Sequence, residues 1–227
     1  MKIAIIGYGK MGHAIEGMAT MRGHTIVCTA DNKEELRLRA DLLGQADVAV
    51  EFSTPGTAAA NVRRCMEWGI ATVCGTTGWY DSYDEVAELC RRKGGALLTA
   101  TNFSIGMNIM FALNRRLAEL MRGHDEYRAD ICETHHIHKL DAPSGTAITL
   151  RDQIAESGGR EAQEVPIESI REGEVPGIHT VRYDSRYDTI TLTHEAHSRE
   201  GLALGAVLAA EFLQGKRGVY TMEDVIG

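Results

Sequence analysis

The hydrophobic pattern of the first hundred residues alternates between short apolar runs and stretches with helical periodicity. Residues 3–6 are fully apolar, as expected for a strand buried on both faces. A helical period then continues to about Arg22, carried by Met11, Ile15, Met18 and Ala19. The same reasoning predicts further strands at 24–29, 47–52, 70–74 and 96–100, and helices at 57–68 and 82–93. Strands that alternate with helices predict right-handed crossovers and a parallel sheet.

The second half of the chain has a different pattern. It begins with a predicted helix at 105–121, whose apolar positions at i, i+4 spacing are Ile109, Leu113, Leu117 and Met121. A strand at 126–133 and a helix at 146–157 follow, and then strands at 165–171, 179–184 and 186–196 without helices between them. This order predicts an α+β domain with an antiparallel or mixed sheet. A sheet with one uncovered face would be buried against another subunit, which favours a homo-oligomer.

The end of the chain carries one more apolar helix, predicted at 201–214, and a short turn that opens at 221–224. Because this helix follows the second sheet, we expect it to pack back onto the first domain. The predicted fold class is therefore α/β, with domains at 1–103 and 104–203 and with residues 204–227 rejoining the first domain.

Composition narrows the class of protein. The 227 residues are 44% hydrophobic and 25% charged, which is ordinary for a globular chain. A net charge of −8 argues against nucleic acid or an anionic membrane surface as the main partner. The five cysteines form no C-x-x-C pair and favour reduced thiols in a cytoplasmic protein. The apolar runs are too short to span a bilayer. The first run ends at Gly7 after four residues, which is shorter than the apolar region of a signal peptide.

A glycine-rich turn links the first predicted strand and helix. It has the form G-x-G-x-x-G and consists of Gly7, Tyr8, Gly9, Lys10, Met11 and Gly12. Between a strand and a helix this motif predicts a Rossmann-type dinucleotide-binding domain. Asp31 ends the second strand about 20 residues later, where an acidic residue holds a ribose hydroxyl, and it favours NADH. Lys10 and Lys33 leave NADPH open as the cofactor.

Small polar clusters follow three later strands of the first domain. Ligands of open α/β sheets bind outside the carboxyl ends of the strands. We therefore expect these clusters to flank the nicotinamide and its ribose. They contain Phe52, Ser53, Gly75, Thr76, Thr77, Thr101 and Asn102.

The densest chemistry lies in residues 133–147, which read E-T-H-H-I-H-K-L-D-A-P-S-G-T-A. Three histidines and Lys139 can donate or accept protons, and Glu133 and Asp141 can orient them. Ser144 is a suitable N-cap for the helix that follows, and a helix N-terminus binds anions. The stretch therefore predicts a site that holds an anionic small molecule and moves protons on it.

This stretch resembles the signature of the dihydrodipicolinate reductase (4-hydroxy-tetrahydrodipicolinate reductase) family of lysine and diaminopimelate biosynthesis. Further similarities to that family lie at 10–12, 52–55, 75–78, 101–106 and 194–199. The resemblance implies reduction of 4-hydroxy-tetrahydrodipicolinate, a small cyclic dicarboxylate, to tetrahydrodipicolinate with NADH or NADPH and with loss of water. It also implies an α+β domain for substrate binding and oligomerisation, and a cytoplasmic homotetramer.

The resemblance also implies roles for individual residues. His135 and Lys139 are the expected catalytic acid/base groups. The expected substrate ligands are His136, Lys139, Ser144, Gly145 and Thr146. Phe103 and Ser104 join the cofactor-binding residues already named. Two features depart from the family pattern: the glycine loop is one residue shorter than G-A-x-G-R-M-G, with Lys10 in place of arginine, and the chain is compact between Asp31 and Asp47.

Three other functions compete with this one. The first is a different oxidoreductase on the same plan, such as an amino-acid or sugar dehydrogenase. The second is a metalloenzyme. The sequence lacks the H-E-x-x-H spacing of a helical zinc site, so we predict no metal. Its ligands would be Glu133, His135, His136 and His138. The third is a cofactor-binding sensor without catalysis, which would bind NADH without turnover.

Overall fold

The computed structural model describes residues 1–159 and 161–227. The chain divides into two compact units, which are residues 1–105 together with 200–227, and residues 106–199. Among the described helices, none combines the length and apolar character needed to cross a membrane.

The secondary structure contains ten strands and nine α-helices within the described residues. The strands are β1 (Lys2–Ile6), β2 (Thr25–Ala30), β3 (Val48–Glu51), β4 (Ala71–Cys74), β5 (Ala96–Thr99), β6 (Arg128–His135), β7 (Ile167–Arg171), β8 (Ile178–Asp184), β9 (Thr189–Glu195) and β10 (Gly218–Tyr220). The helices are α1 (Lys10–Met21), α2 (Lys33–Leu38), α3 (Ala40–Leu43), α4 (Pro55–Glu67), α5 (Tyr83–Lys93), α6 (Ile105–Met121), α7 (Gly145–Gly158), α8 (Glu200–Leu213) and α9 (Met222–Ile226).

The first unit is built on a six-stranded sheet in the order β10-β5-β4-β3-β1-β2, and every pair is parallel. The predicted parallel sheet is therefore confirmed. The chain runs outward from β1 to β2 and then returns to β3 on the other side of β1. This reversal opens a crevice at the carboxyl ends of β1 and β3, the place where open α/β sheets bind ligands.

The core of this unit explains its apolar runs. Strands β1 and β3 are buried on both faces, apart from Lys2 at the start of β1. The final apolar helix α8 packs here, as predicted, because its small residues allow a close approach. A Cβ atom on Gly205 would lie 1.6 Å from the carbonyl oxygen of Phe103. The sequence did not predict α2, α3 or β10, which are only six, four and three residues long.

The second unit contains a four-stranded mixed sheet in the order β7-β6-β8-β9. Strand β6 pairs with β7 in parallel and with β8 in antiparallel orientation. Helices α6 and α7 supply apolar side chains such as Phe111 and Leu150 to the same core as Ile131 and Val181 of the sheet. The predicted α+β character is confirmed.

The predicted apolar face of α6 is wrong at two of its four positions, since Leu117 and Met121 do pack against the core. Ile109 and Leu113 are 45% and 52% exposed, whereas the core-facing positions include Met107, Phe111 and Asn114. Asn114 is fully buried because its side-chain amide donates to the carbonyl oxygen of Leu150 at 3.0 Å. A polar residue at a core position shifts the apparent apolar stripe to the wrong side of the helix.

The bounds of β6 also differ from the prediction. The strand ends at His135 rather than at residue 133. The alternation of a strand then places Ala129, Ile131, Glu133 and His135 on one buried face. His135 therefore lies on a rigid strand, whereas His136 and Lys139 lie in the loop that follows.

Candidate active site

The glycine-rich turn of the first unit fits a dinucleotide. Gly7 has a φ of +88°, and a Cβ atom there would lie 2.1 Å from the carbonyl oxygen of Phe52. A Cβ atom on Gly12 would lie 2.5 Å from the carbonyl oxygen of Gly7. Only glycine fits either position, so the backbone of the turn and the N-terminus of α1 stay open to a phosphate group.

A cavity of about 580 Å³ adjoins this turn. Its lining includes five of the predicted cofactor residues, which are Gly7, Gly9, Asp31, Phe52 and Ser53. The Asp31 carboxylate accepts a hydrogen bond from the backbone N–H of Tyr8 at 2.9 Å, which fixes it beside the turn. Lys33 and Arg64 add positive charge to the same lining. The cavity thus combines a ribose-binding carboxylate with two cations suited to a phosphate.

The remaining predicted cofactor residues are outside the lining of that cavity. They are Tyr8, Lys10, Met11, Gly12, Gly75, Thr76, Thr77, Thr101, Asn102, Phe103 and Ser104. Thr76 is turned inward, since its hydroxyl donates to Glu51 at 2.7 Å and accepts from the backbone N–H of Ser53 at 2.8 Å. Glu51 is fully buried and also accepts from Ser53 and Asn61. We did not predict Glu51 from the sequence, although a carboxylate at the end of an apolar strand indicates a buried polar side chain with hydrogen-bond partners.

In the second unit, Glu133 is the centre of the predicted proton-handling stretch. Its side chain is fully buried. One oxygen, Oε1, accepts from the backbone N–H of Ser144 at 2.9 Å, from Ser169 Oγ at 2.8 Å and from Arg171 Nη2 at 3.1 Å. Burial alone would raise the pKa of Glu133, but these donors hold it at about 2. Glu133 is therefore ionised at every physiological pH.

His135 lies against this carboxylate. Its Nδ1 is 2.8 Å from Glu133 Oε2, although the ring N–H is not aligned on that oxygen. The ring also meets His179 of β8 edge-on, with 5.0 Å between ring centres. Burial lowers the pKa of His135 and lowers that of His179 to about 4, against the opposing effect of Glu133. Both imidazoles are therefore neutral near pH 7.

The loop after β6 carries the groups that are open to solvent. Lys139 is 22% exposed and donates to Asp141 at 2.8 Å. This contact lowers the pKa of Asp141. His136 is half-buried, and its Nε2 lies 3.5 Å from Arg199 Nη2. His138 is exposed and pairs with Glu174 at 3.0 Å. Lys139 is thus partly open to solvent while it is paired with Asp141.

The N-terminus of α7 is the place where the sequence predicts an anion site. Ser144 caps the helix, because its buried hydroxyl oxygen accepts from the backbone N–H of Ala147 at 3.2 Å. The same hydroxyl lies 3.2 Å from His179 Nε2. Gly145 is exposed and Thr146 is half-buried. Within the described residues, the backbone N–H groups of Gly145 and Thr146 have no protein acceptor, so they are available to an anion.

Three residues of this cluster were missed from the sequence. Ser169 and Arg171 lie two positions apart on β7, and His179 lies on β8. Glu133, His135 and His179 bring their potential metal-ligating atoms within 4.8 Å of one another, so His136 and His138 are not part of this group. The hydrogen bonds to Glu133 mark the group as a buried hydrogen-bonding cluster. A larger cavity of about 710 Å³ lies elsewhere in this unit, against Arg122 and Glu164, and no signature residue lines it.

Comparisons with known proteins agree with this arrangement. Two family models match, "Dihydrodipicolinate reductase, N-terminus" over residues 1–103 and "Dihydrodipicolinate reductase, C-terminus" over residues 106–226. The 4-hydroxy-tetrahydrodipicolinate reductase of Christiangramia forsetii is 46% identical over 235 residues, covering 100% of this chain and 98% of the relative. That of Thermosipho africanus is 35% identical with the same coverage. A dipicolinate-bound dihydrodipicolinate reductase from Paenisporosarcina sp. TG-14 shares the fold, with a TM-score of 0.80, 21% identity and 97% coverage of each chain.

Proposed function

The chain belongs to the dihydrodipicolinate reductase family, and from this membership we propose how its residues carry out the family's reaction. The chain is an NAD(P)H-dependent oxidoreductase that reduces 4-hydroxy-tetrahydrodipicolinate to tetrahydrodipicolinate in lysine and diaminopimelate biosynthesis. The ring of the substrate gains one hydride and one proton and loses one water. The nicotinamide cofactor supplies the hydride. The protein must hold the dicarboxylate and supply the proton.

The first unit is the cofactor-binding domain in this proposal. The turn from Gly7 to Gly12 holds the pyrophosphate through backbone N–H groups at the start of α1. Asp31 binds the adenosine ribose, and Lys33 and Arg64 bind the additional phosphate when NADPH is the cofactor. The other predicted residues, from Phe52 to Ser104, surround the nicotinamide half.

The second unit is the substrate-binding domain. One substrate carboxylate accepts from the backbone N–H groups of Gly145 and Thr146 and from the Thr146 hydroxyl. Ser144 supports this site by capping α7. His136 binds the substrate beside Lys139, whose ammonium group faces the negative charge of the dicarboxylate.

The proton chemistry is divided between Lys139 and His135. Lys139 pairs with Asp141 and is partly open to solvent, so it donates the proton to the ring. His135 is neutral because burial lowers its pKa, so it acts as the base that takes a proton from the ring carbon and passes it to the leaving hydroxyl, which departs as water. The observation that carries the proposal is the placement of a charged lysine, a neutral histidine and an open helix N-terminus around one buried carboxylate.

A coupled assay tests this proposal. A dihydrodipicolinate-forming synthase supplies the substrate, and the oxidation of NADH and of NADPH is followed by absorbance. Lys139→Met and His135→Gln should each reduce kcat by about 100-fold or more, as expected for the loss of a general acid or base. NADH binding, measured by fluorescence, should not change.

His138→Gln is the matched control, because His138 is an exposed histidine of the same loop and pairs only with the surface carboxylate of Glu174 among the described residues. It should keep wild-type kcat. Near-normal kcat in both Lys139→Met and His135→Gln would refute the assigned roles. No oxidation of either cofactor by the wild type would refute the function itself.

We also infer a cytoplasmic homotetramer assembled through the open face of the second sheet. Ile170 lies on this face, since it pairs with Thr134 of β6, and it is 37% exposed, so a second subunit would cover it. The free cysteines of the chain suit a reducing compartment. Sedimentation equilibrium tests the assembly, and Ile170→Asp should shift it toward smaller species. A wild-type monomer at micromolar concentration would contradict the inference.

A further inference from the structure

Arg171 lies outside the signature stretch but makes contact with two parts of it. It is the last residue of β7. One of its nitrogens, Nη2, donates to Glu133 Oε1 at 3.1 Å and to the carbonyl oxygen of Asp141 at 2.6 Å. The other, Nη1, donates to the carbonyl oxygen of Ile170 at 2.7 Å. The guanidinium group therefore connects β6 with the loop that carries Lys139.

The charge of Arg171 also matters, because Glu133 is a carboxylate with no exposure to solvent. A buried charge without a partner is strongly destabilising. Arg171 is the cation within ion-pair distance of this carboxylate, and its own side chain is only 19% exposed. Lys139 is paired with Asp141 instead.

The Glu133 carboxylate would draw a proton onto His135 if its charge were not balanced. The groups that face His135 are Glu133 on its own strand, His179 on β8, Lys139 and Asp141 in the loop, and Arg171 on β7. Glu133 and Asp141 favour the charged imidazole, while Lys139 and Arg171 oppose it. Arg171 is one of the two cations that oppose protonation of His135, and it is the one that contacts Glu133. Removing it should therefore favour the charged imidazole.

We propose that Arg171 is a positioning residue of this reductase, which holds the Lys139 loop against β6 through the Asp141 carbonyl and, together with burial, keeps His135 uncharged by pairing with Glu133. This inference rests on the proposed roles of Lys139 and His135. It assigns Arg171 no contact with the substrate. Two effects follow from one side chain: a geometric one on the loop and an electrostatic one on the histidine.

Two variants of the full chain separate these effects. Arg171→Met removes both the charge and the bridge, whereas Arg171→Lys keeps the charge but cannot donate along two directions from a planar group. Arg116→Met is the matched control, since Arg116 is an arginine of the same unit that pairs with Glu119 on the exposed surface of α6. The measurements are kcat, KM for the dicarboxylate, NADH affinity and the NMR titration of His135, assigned with His135→Gln.

In Arg171→Met, kcat should fall by about 100-fold, because misplacing a catalytic group by an ångström costs that much. The Glu133–His135 pair should take up a proton at a pH at least one unit higher than in the wild type. Arg171→Lys should leave that titration close to wild type but still lower kcat. NADH affinity should be unchanged in every variant.

Either of two results would overturn the proposal. One is a kcat for Arg171→Met equal to that of Arg116→Met. The other is an unchanged His135 titration in Arg171→Met, which would reduce Arg171 to a structural residue. If Arg171→Met does not fold, a wild-type kcat in Arg171→Lys overturns the bridging role. The His135 titration can be measured without catalytic turnover, so it tests the role of Arg171. The proposed function is tested separately, by the oxidation of NADH or NADPH in the wild-type assay.

Discussion

Glu133→Gln removes the charge of the buried carboxylate while keeping its shape. Glutamine can still accept from the Ser144 N–H and from Ser169 through its own oxygen, so the backbone contact of the loop survives. What disappears is the pairing with Arg171 and the contact with His135 Nδ1. The variant therefore isolates the electrostatic contribution of Glu133 to folding.

The magnitude follows from the pKa of Glu133. A pKa lowered from 4.5 to about 2 corresponds to about 3 kcal/mol in favour of the ionised carboxylate in the folded state. Because the folded pKa is depressed, this stability is fully present above the unfolded pKa and is lost as pH falls toward the folded one. The window therefore runs from about pH 4.5 down to about pH 2.

Denaturant unfolding of wild type and Glu133→Gln at several pH values provides the assay. Near pH 7 the variant should be less stable by about 3 kcal/mol, and near pH 3 by only about 1 kcal/mol, since most of the wild-type advantage has titrated away. Groups far from Glu133 titrate alike in both proteins and cancel in the difference. Making the comparison in a background that carries His135→Gln and His179→Gln removes the two imidazoles whose pKa depends on Glu133. Asp130→Asn is the control, a carboxylate of the same strand paired with Arg182 at the surface. Its difference from wild type should stay below about 1 kcal/mol.

A stability difference between wild type and Glu133→Gln that stays constant from pH 7 to pH 3 would refute this reasoning. It would show that Glu133 stabilises the fold by packing alone. A difference that grows as pH falls would show that the buried group is protonated in the folded protein, which contradicts its hydrogen bonds to three donors.

Three further predictions concern the cofactor and substrate sites. Asp31→Ala should weaken NADH binding by about tenfold, since a hydrogen bond to a charged group contributes about 1.5 kcal/mol, and it should weaken NADPH binding less. Titration calorimetry measures both affinities, and equal losses would contradict the ribose role of Asp31. Gly177→Ala should lower kcat and destabilise the fold by about 1–3 kcal/mol, because its φ is +155° and its Cβ would lie 3.1 Å from His135 Nε2; wild-type kcat would disprove this contact. Ser144→Ala should cost about 1 kcal/mol of unfolding free energy and raise KM for the dicarboxylate more than it lowers kcat; an unchanged KM would remove Ser144 from the carboxylate site.

Local sequence signals predicted the parts of the fold that depend on neighbours along the chain. Residues 3–6 and the turn that follows them predicted the dinucleotide-binding fold, because a buried strand and a glycine turn can be recognised from neighbouring residues alone. The face of α6 could not be predicted in this way. Asn114 is buried only because α7 offers it the carbonyl oxygen of Leu150, which lies 36 residues further along.

The candidate site divides along the same line. Glu133, His135, Lys139 and Ser144 occur within a single stretch of sequence, so their residue types and spacing indicated their chemistry. Ser169, Arg171 and His179 reach that stretch only through the pairing of β7 and β8 with β6, in which Glu133 lies opposite Ser169 on one side and His179 on the other. Strand register is set by the whole sheet, and no local pattern encodes it. The sequence therefore indicated the groups that we propose to act on the substrate, whereas only the sheet shows the donors that keep Glu133 charged. One of those donors, Arg171, adds its charge to the effect of burial in lowering the pKa of His135.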